Sequence, residues 1–117
     1  RRHASIMAGL CCGEPHPGWD ILRNHVTAFV SCPDWVTARG MRTLGAPEKG
    51  DPRVISGESG AVTTGLVETL MLDPEYAELK ELIGLDKTSS VLCFSTEGDT
   101  DPDQYRRIVW EGEYPTC

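Results

Sequence analysis

The sequence is short of basic charge: 11 Lys and Arg stand against 18 Asp and Glu, for a net charge of −7. A chain this acidic offers no basic face for nucleic-acid phosphates or an anionic membrane. Long apolar runs are missing too, and nothing approaches the roughly 20 residues that span a bilayer. The first residues, RRHASIMAGLCC, have a basic end, but their apolar run breaks at Gly9, so no signal peptide is expected and a cytoplasmic address fits. There is no CxxC pair among the five cysteines, and zinc spacing is absent. Cys12, His16, His25 and Cys32 follow no common ligand interval, Cys11 and Cys12 are adjacent, and Cys32 and Cys93 close strand-like runs where reduced cysteine acts as a small hydrophobe. A phosphate-binding Walker loop is excluded because no Gly-Lys-Ser/Thr occurs.

Two further chemistries fail on the letters. GESGA around Ser59 approaches the nucleophile elbow G-x-S-x-G, but Ala61 replaces the last glycine, and His3, His16 and His25 all precede the serine that they would have to follow. The acidic cluster Glu97, Asp99, Asp101 and Asp103 invites a calcium loop. Counted from Asp99, however, the sixth position is Gln104 and the twelfth is Trp110, where an EF-hand needs Gly and Glu. Helix capping and solvation account for most of these carboxylates.

What is present suits one small α/β unit: 117 residues, 39% hydrophobic and 25% charged. Ser5 to Cys12 is a small-residue apolar run ahead of the breakers Gly13, Pro15, Pro17 and Gly18, and predicts a buried strand. Trp19 to Val26 has helical spacing, and Ala28 to Cys32 predicts a second strand. Pro33 suits a first helical position; Val36, Gly40 and Leu44 then recur until Gly45. Val54 and Ile55 form a third short strand, and Val62, Leu66 and Leu70 predict a helix that runs to Leu72. Asp73 and Pro74 open another helix, with Tyr76, Leu79, Leu82 and Ile83 on one face and Gly84 at its end. A strand from Val91 follows, and Asp101, Pro102 and Gln104 cap a last helix with the apolar face Tyr105, Ile108 and Val109. The order predicts an α/β layer with a partial parallel sheet and flanking helices.

Two stretches organise the rest, VISGESGA (Val54 to Ala61) and VLCFSTEG (Val91 to Gly98). Each is an apolar run that stops at hydroxyl and glycine residues, as a parallel strand does at a ligand site. Gly57 and Gly60 either free the backbone ahead of an electropositive helix N-terminus that could face an anion, or let helix and strand pack closely. Ser95 and Thr96 either emerge at a site or begin a surface loop.

SIMAGLCCGEP, FVSCPDWV, GDPRVISGESGAV and FSTEGDTDPDQYRRIVWEG together resemble the carboxy-terminal part of the diaminopropionate ammonia-lyase family, from about Ser5 to Gly112. That family shares the fold-type-II pyridoxal-phosphate fold of threonine dehydratase, serine racemase and the tryptophan synthase β-chain. The resemblance implies a cytoplasmic homodimer that eliminates ammonia from the small amino acid 2,3-diaminopropionate, giving pyruvate. It places Ser95, with Thr96 beside it, at the pyridine nitrogen of pyridoxal 5'-phosphate, Gly9 where backbone approaches the ring, and Gly57 and Glu58 at the cofactor's edge. A neutral hydroxyl, unlike a carboxylate, does not hold a proton on that nitrogen. The ring is then a weaker electron sink, and expulsion of a β-leaving group competes well.

The same resemblance puts the Schiff-base lysine, the glycine-rich phosphate loop and the proton-transfer acids upstream of the matched segment. Lys49, Lys80 and Lys87 lie in a turn, on a helix face and in another turn. With Arg in place of Met at position 1 and an internal-looking apolar run straight after it, residues 1–117 are expected to be a fragment of the large cofactor-binding domain, inactive alone. The alternatives are a related serine or threonine ammonia-lyase, and a non-catalytic small-molecule or protein-binding domain on the same scaffold.

Overall fold

A computed structural model of the chain describes residues 5–7 and 17–117. The elements are α1 (Trp19–His25), α2 (Asp34–Gly45), α3 (Glu58–Leu72), a 3₁₀ turn (Pro74–Tyr76), α4 (Ala77–Ile83) and α5 (Pro102–Val109). No helix among the described residues is long and apolar enough to cross a membrane.

The helix boundaries follow their local chemistry. Gly45 and Leu72 close α2 and α3 where expected, and Gly84 ends α4 in the left-handed region at φ 83°. The Asp101 carboxylate accepts from the Gln104 N–H at 3.1 Å and caps α5, with Pro102 as first residue. Two caps differ from expectation. Pro33 is the N-cap of α2 rather than its first residue, and Asp73 makes no side-chain cap bond because its carboxylate is taken by Arg39 at 2.9 Å.

The structure does not confirm the predicted partial parallel sheet. No strand forms among the described residues: Ala28 to Cys32, Val54 to Ile55 and the run from Val91 are all irregular, and the run from Ser5 to Cys12 lies mostly outside the description. The physical reason is that a strand exists only as a ladder with a neighbour. These runs find no ladder partner within the described residues, and they leave Phe29, Leu92 and Phe94 62%, 78% and 71% exposed.

The core lies where α2, α3 and α5 meet. Ala38, Met41, Ala61, Tyr105 and Ile108 are buried there, with Ile6, Leu44, Val109 and Tyr114 packed against them. Complete burial of Met41 and Ile108 contributes about 1.5–3 kcal/mol each. The α3 face that meets α2 is not the predicted Val62, Leu66 and Leu70 stripe but its small-residue neighbour, Ala61, Gly65 and Thr69, with Leu70 buried beside it. Small residues are required because the backbones nearly touch: a Cβ on Gly65 would lie 1.9 Å from the Val36 carbonyl oxygen, and one on Gly40 2.1 Å from that of Ala61. On α4 the predicted face is only partly covered, since Leu82 is 82% exposed.

Two arginines on α2 tie its neighbours to it. Arg39 pairs with Asp73 and, at 3.5 Å, with Glu68. Arg42 donates to the carbonyls of Ile108 (3.3 Å), Glu113 (3.1 Å) and Tyr114 (3.1 Å), so one guanidinium satisfies the end of α5 and fixes the carboxy-terminal segment. Desolvation lowers the Arg42 pKa, opposed by Glu68.

Candidate functional site

The close α2 and α3 crossing fixes where α3 begins, and its N-terminus lies against the loop that follows the Val91 run. The junction is dense with backbone contacts. The Gly57 N–H donates to the Glu97 carbonyl at 2.9 Å, and the Ser59 N–H donates to Glu97 Oε1 at 2.8 Å. Thr100 Oγ1 donates to the other oxygen of that carboxylate at 3.3 Å. From α2, the Thr37 hydroxyl donates to the Glu58 carbonyl and anchors the first turn of α3 from behind.

Gly57 and Gly60 are there for proximity. A Cβ at Gly57 would stand 2.3 Å from the Gly98 carbonyl oxygen, and one at Gly60 would stand 2.7 Å from Ser56 Oγ and 3.0 Å from the Thr96 nitrogen. The electropositive N-terminus of α3 already faces an anion, the Glu97 carboxylate of this same chain. Of the two readings of these glycines, close packing is the one that the structure bears out.

Ser95 and Thr96 sit on the exposed side of this junction. Ser95 Oγ lies 2.8 Å from Ser56 Oγ and 3.4 Å from the Glu97 carbonyl oxygen. Ser56 is fully buried. An exposed hydroxyl whose oxygen is fixed from below by a second hydroxyl suits a neutral heterocyclic nitrogen, and no carboxylate oxygen is recorded as a partner of Ser95 among the described residues. The donor set therefore fits the pyridine nitrogen of pyridoxal phosphate.

Glu58 opens α3 and is 6% exposed. Burial pushes its carboxyl pKa up, and the charges of Glu97 and Asp101 push in the same direction, against the pull of a backbone hydrogen bond. Thus Ser95, Thr96, Gly57 and Glu58 converge on one junction, while Gly9 lies outside the described residues. Lys49 and Lys87 are exposed in turns and Lys80 is on α4. None of the three is among the hydrogen-bond or ion-pair partners of the junction.

Sequence reasoning missed Ser56 and gave Glu97 too general a role. Ser56 lies within VISGESGA, but nothing in the letters ranks it above Ser59; its partner is 39 residues away. Glu97 does cap a helix, as the acidic cluster suggested, but the helix is the distant α3 rather than the one that follows it.

No family model matches the chain. Against individual proteins the likeness is extensive. The chain is 55% identical over 112 residues to the diaminopropionate ammonia-lyase of Escherichia coli K12, a match that takes in 95% of this chain and 28% of that protein. It is 49% identical over 111 residues to the Salmonella typhimurium enzyme of the same name, covering 93% of this chain and again 28% of the relative. It therefore spans a little over a quarter of the length of these relatives. The crystal structure of the E. coli enzyme in complex with an aminoacrylate–PLP azomethine reaction intermediate superposes with a TM-score of 0.90 at 55% identity, over 96% of this chain and 30% of that one. The same enzyme in complex with D-serine gives 0.89 at 54% identity, over 96% of this chain and 29% of that one. With identity and backbone agreeing along almost its whole length, the chain matches one segment of the diaminopropionate ammonia-lyases.

Proposed function

We propose that the protein carrying this chain is a pyridoxal-phosphate-dependent lyase that eliminates ammonia from 2,3-diaminopropionate to give pyruvate and a second ammonia. The observation that carries the reading is the 55% identity to the E. coli enzyme over 95% of the chain, with the Ser56 and Ser95 hydroxyl pair intact at 2.8 Å where the family resemblance puts the ring nitrogen. Pyridoxal phosphate, when bound, supplies the electron sink for loss of the β-amine.

The residues of this chain would form one wall of that site. Ser95 donates to the unprotonated nitrogen, and Thr96 borders the same edge. Glu97 holds the loop onto α3 through Gly57 and Ser59, so the Ser95 hydroxyl is placed by a rigid element. Gly57 and Glu58 line the adjoining edge. The covalent lysine, the phosphate loop and the proton-transfer groups come from outside this segment, which makes the segment inactive by itself. The working enzyme is a cytoplasmic homodimer, as the resemblance implies.

The D-serine complex of the E. coli enzyme supports a second reading, in which serine takes the place of diaminopropionate as the substrate. Product stoichiometry separates the two. The purified full-length protein with pyridoxal phosphate should release two ammonia per pyruvate from diaminopropionate. Turnover of serine alone, with one ammonia per pyruvate, would overturn the first reading in favour of the second.

A further inference from the structure

We propose that Ser56 is a positioning residue that donates its proton to Ser95 Oγ and thereby directs the Ser95 proton to the cofactor's ring nitrogen. The inference rests on the assignment of Ser95 under Proposed function. Distance alone leaves the direction of the Ser56 and Ser95 bond open, because either oxygen could donate at 2.8 Å. Burial settles it. Ser56 is 0% exposed, and Ser95 Oγ is the partner recorded for its hydroxyl among the described residues. If Ser95 donated, the Ser56 proton would point into packed protein with no acceptor, the costly arrangement for a buried donor. If Ser56 donates, both groups are satisfied.

Ser95 then has a proton to place. The acceptor that the chain offers is the Glu97 carbonyl at 3.4 Å, a long and weak bond. A hydroxyl that already accepts one hydrogen bond is a better donor of its own, so the Ser95 proton is ready for an unprotonated nitrogen. A protonated nitrogen would force Ser95 to accept a second time and to keep its proton on that long bond. Gly60 is part of the device: a Cβ there would reach within 2.7 Å of Ser56 Oγ and displace it.

The test uses the full-length protein and four forms of it: parent, Ser56→Ala, Ser95→Ala and the double variant. Two quantities are read in each, the dissociation constant for pyridoxal phosphate added to the apoenzyme and the absorption band of the bound cofactor across neutral to alkaline pH. Loss of one oriented hydrogen bond should weaken binding about fivefold to tenfold in Ser56→Ala and move the band toward that of Ser95→Ala. In the Ser95→Ala background, Ser56→Ala should add nothing. Equal effects in both backgrounds would show mere packing and overturn the proposal, as would an unchanged Ser56→Ala. Should Ser56→Ala fail to fold, Ser56→Cys keeps the volume with a weak donor and must show the same non-additivity. An unchanged Ser95→Ala would overturn the Ser95 assignment itself; a changed Ser95→Ala beside an unchanged Ser56→Ala would remove the role of Ser56 alone.

Discussion

Gly65→Ala is the sharpest probe of the helix crossing that supports the site. In an ordinary helix this change stabilises by up to about 1 kcal/mol through helix propensity. Here the added Cβ would start 1.9 Å from the Val36 carbonyl oxygen, about 1.5 Å short of ordinary contact, and also 3.1 Å from the Gly40 nitrogen. Both obstacles are backbone, so no rotamer change relieves them and α2 and α3 must part. Separation loosens the packing around Ala38, Met41 and Ala61, all fully buried. Overpacking of this kind costs about 1–3 kcal/mol, and with backbone on both sides the upper end applies. After the propensity gain is subtracted, a net loss of about 2 kcal/mol is expected. Urea unfolding of the full-length protein followed by circular dichroism measures it, with Gly98→Ala as control. Gly98 has nothing within 4 Å of the corresponding Cβ and no positive φ, so its change should be neutral or slightly stabilising. A Gly65→Ala protein as stable as its parent would refute the close-crossing argument.

Three other outcomes follow from single side chains. Arg42→Ala should cost about 2–4 kcal/mol, and Arg42→Lys should recover little of it, because a point charge cannot span the carbonyls of Ile108, Glu113 and Tyr114; proteolysis near Tyr114 would report the freed segment. Tyr105→Phe should be neutral or stabilising by about 1 kcal/mol in thermal unfolding, since the buried Tyr105 hydroxyl has no hydrogen-bond partner among the described residues. Glu58→Gln should raise stability at neutral pH. With the folded pKa above the unfolded one, the Glu58 carboxylate is destabilising above its folded pKa and is relieved as protonation sets in, so the advantage of Gln over Glu should shrink as pH falls through that pKa. Paired melting curves at neutral and acidic pH check the sign.

The helices were legible because their signals are local. Gly45, Gly84 and the Asp101 to Gln104 cap each act within a turn of the residues they terminate or start. The face of α3 was misjudged by one residue because apolar spacing favours Val62, Leu66 and Leu70, whereas the neighbour's closeness selects Ala61, Gly65 and Thr69. The sheet was not legible as a sheet, since β-like letters at Val91 to Phe94 mark a tendency that only a paired neighbour completes. The site was half legible. SGESGAV and STEGDTD brought forward two loops that meet in the structure, with Ser95, Gly57 and Glu58 at their junction. The buried hydroxyl of Ser56 and the reach of Glu97 to Ser59, 38 residues earlier, are tertiary facts that no local pattern carries.

The central claim, that this chain forms the ring-nitrogen wall of a diaminopropionate lyase, is tested most directly by one spectrum. The full-length protein purified with pyridoxal phosphate is scanned before and after addition of 2,3-diaminopropionate, with pyruvate followed in the same cuvette. The account predicts a bound-cofactor band that changes as pyruvate accumulates, and a shifted band in Ser95→Ala. No cofactor band in the parent protein would contradict it and leave a non-catalytic binding domain as the better description.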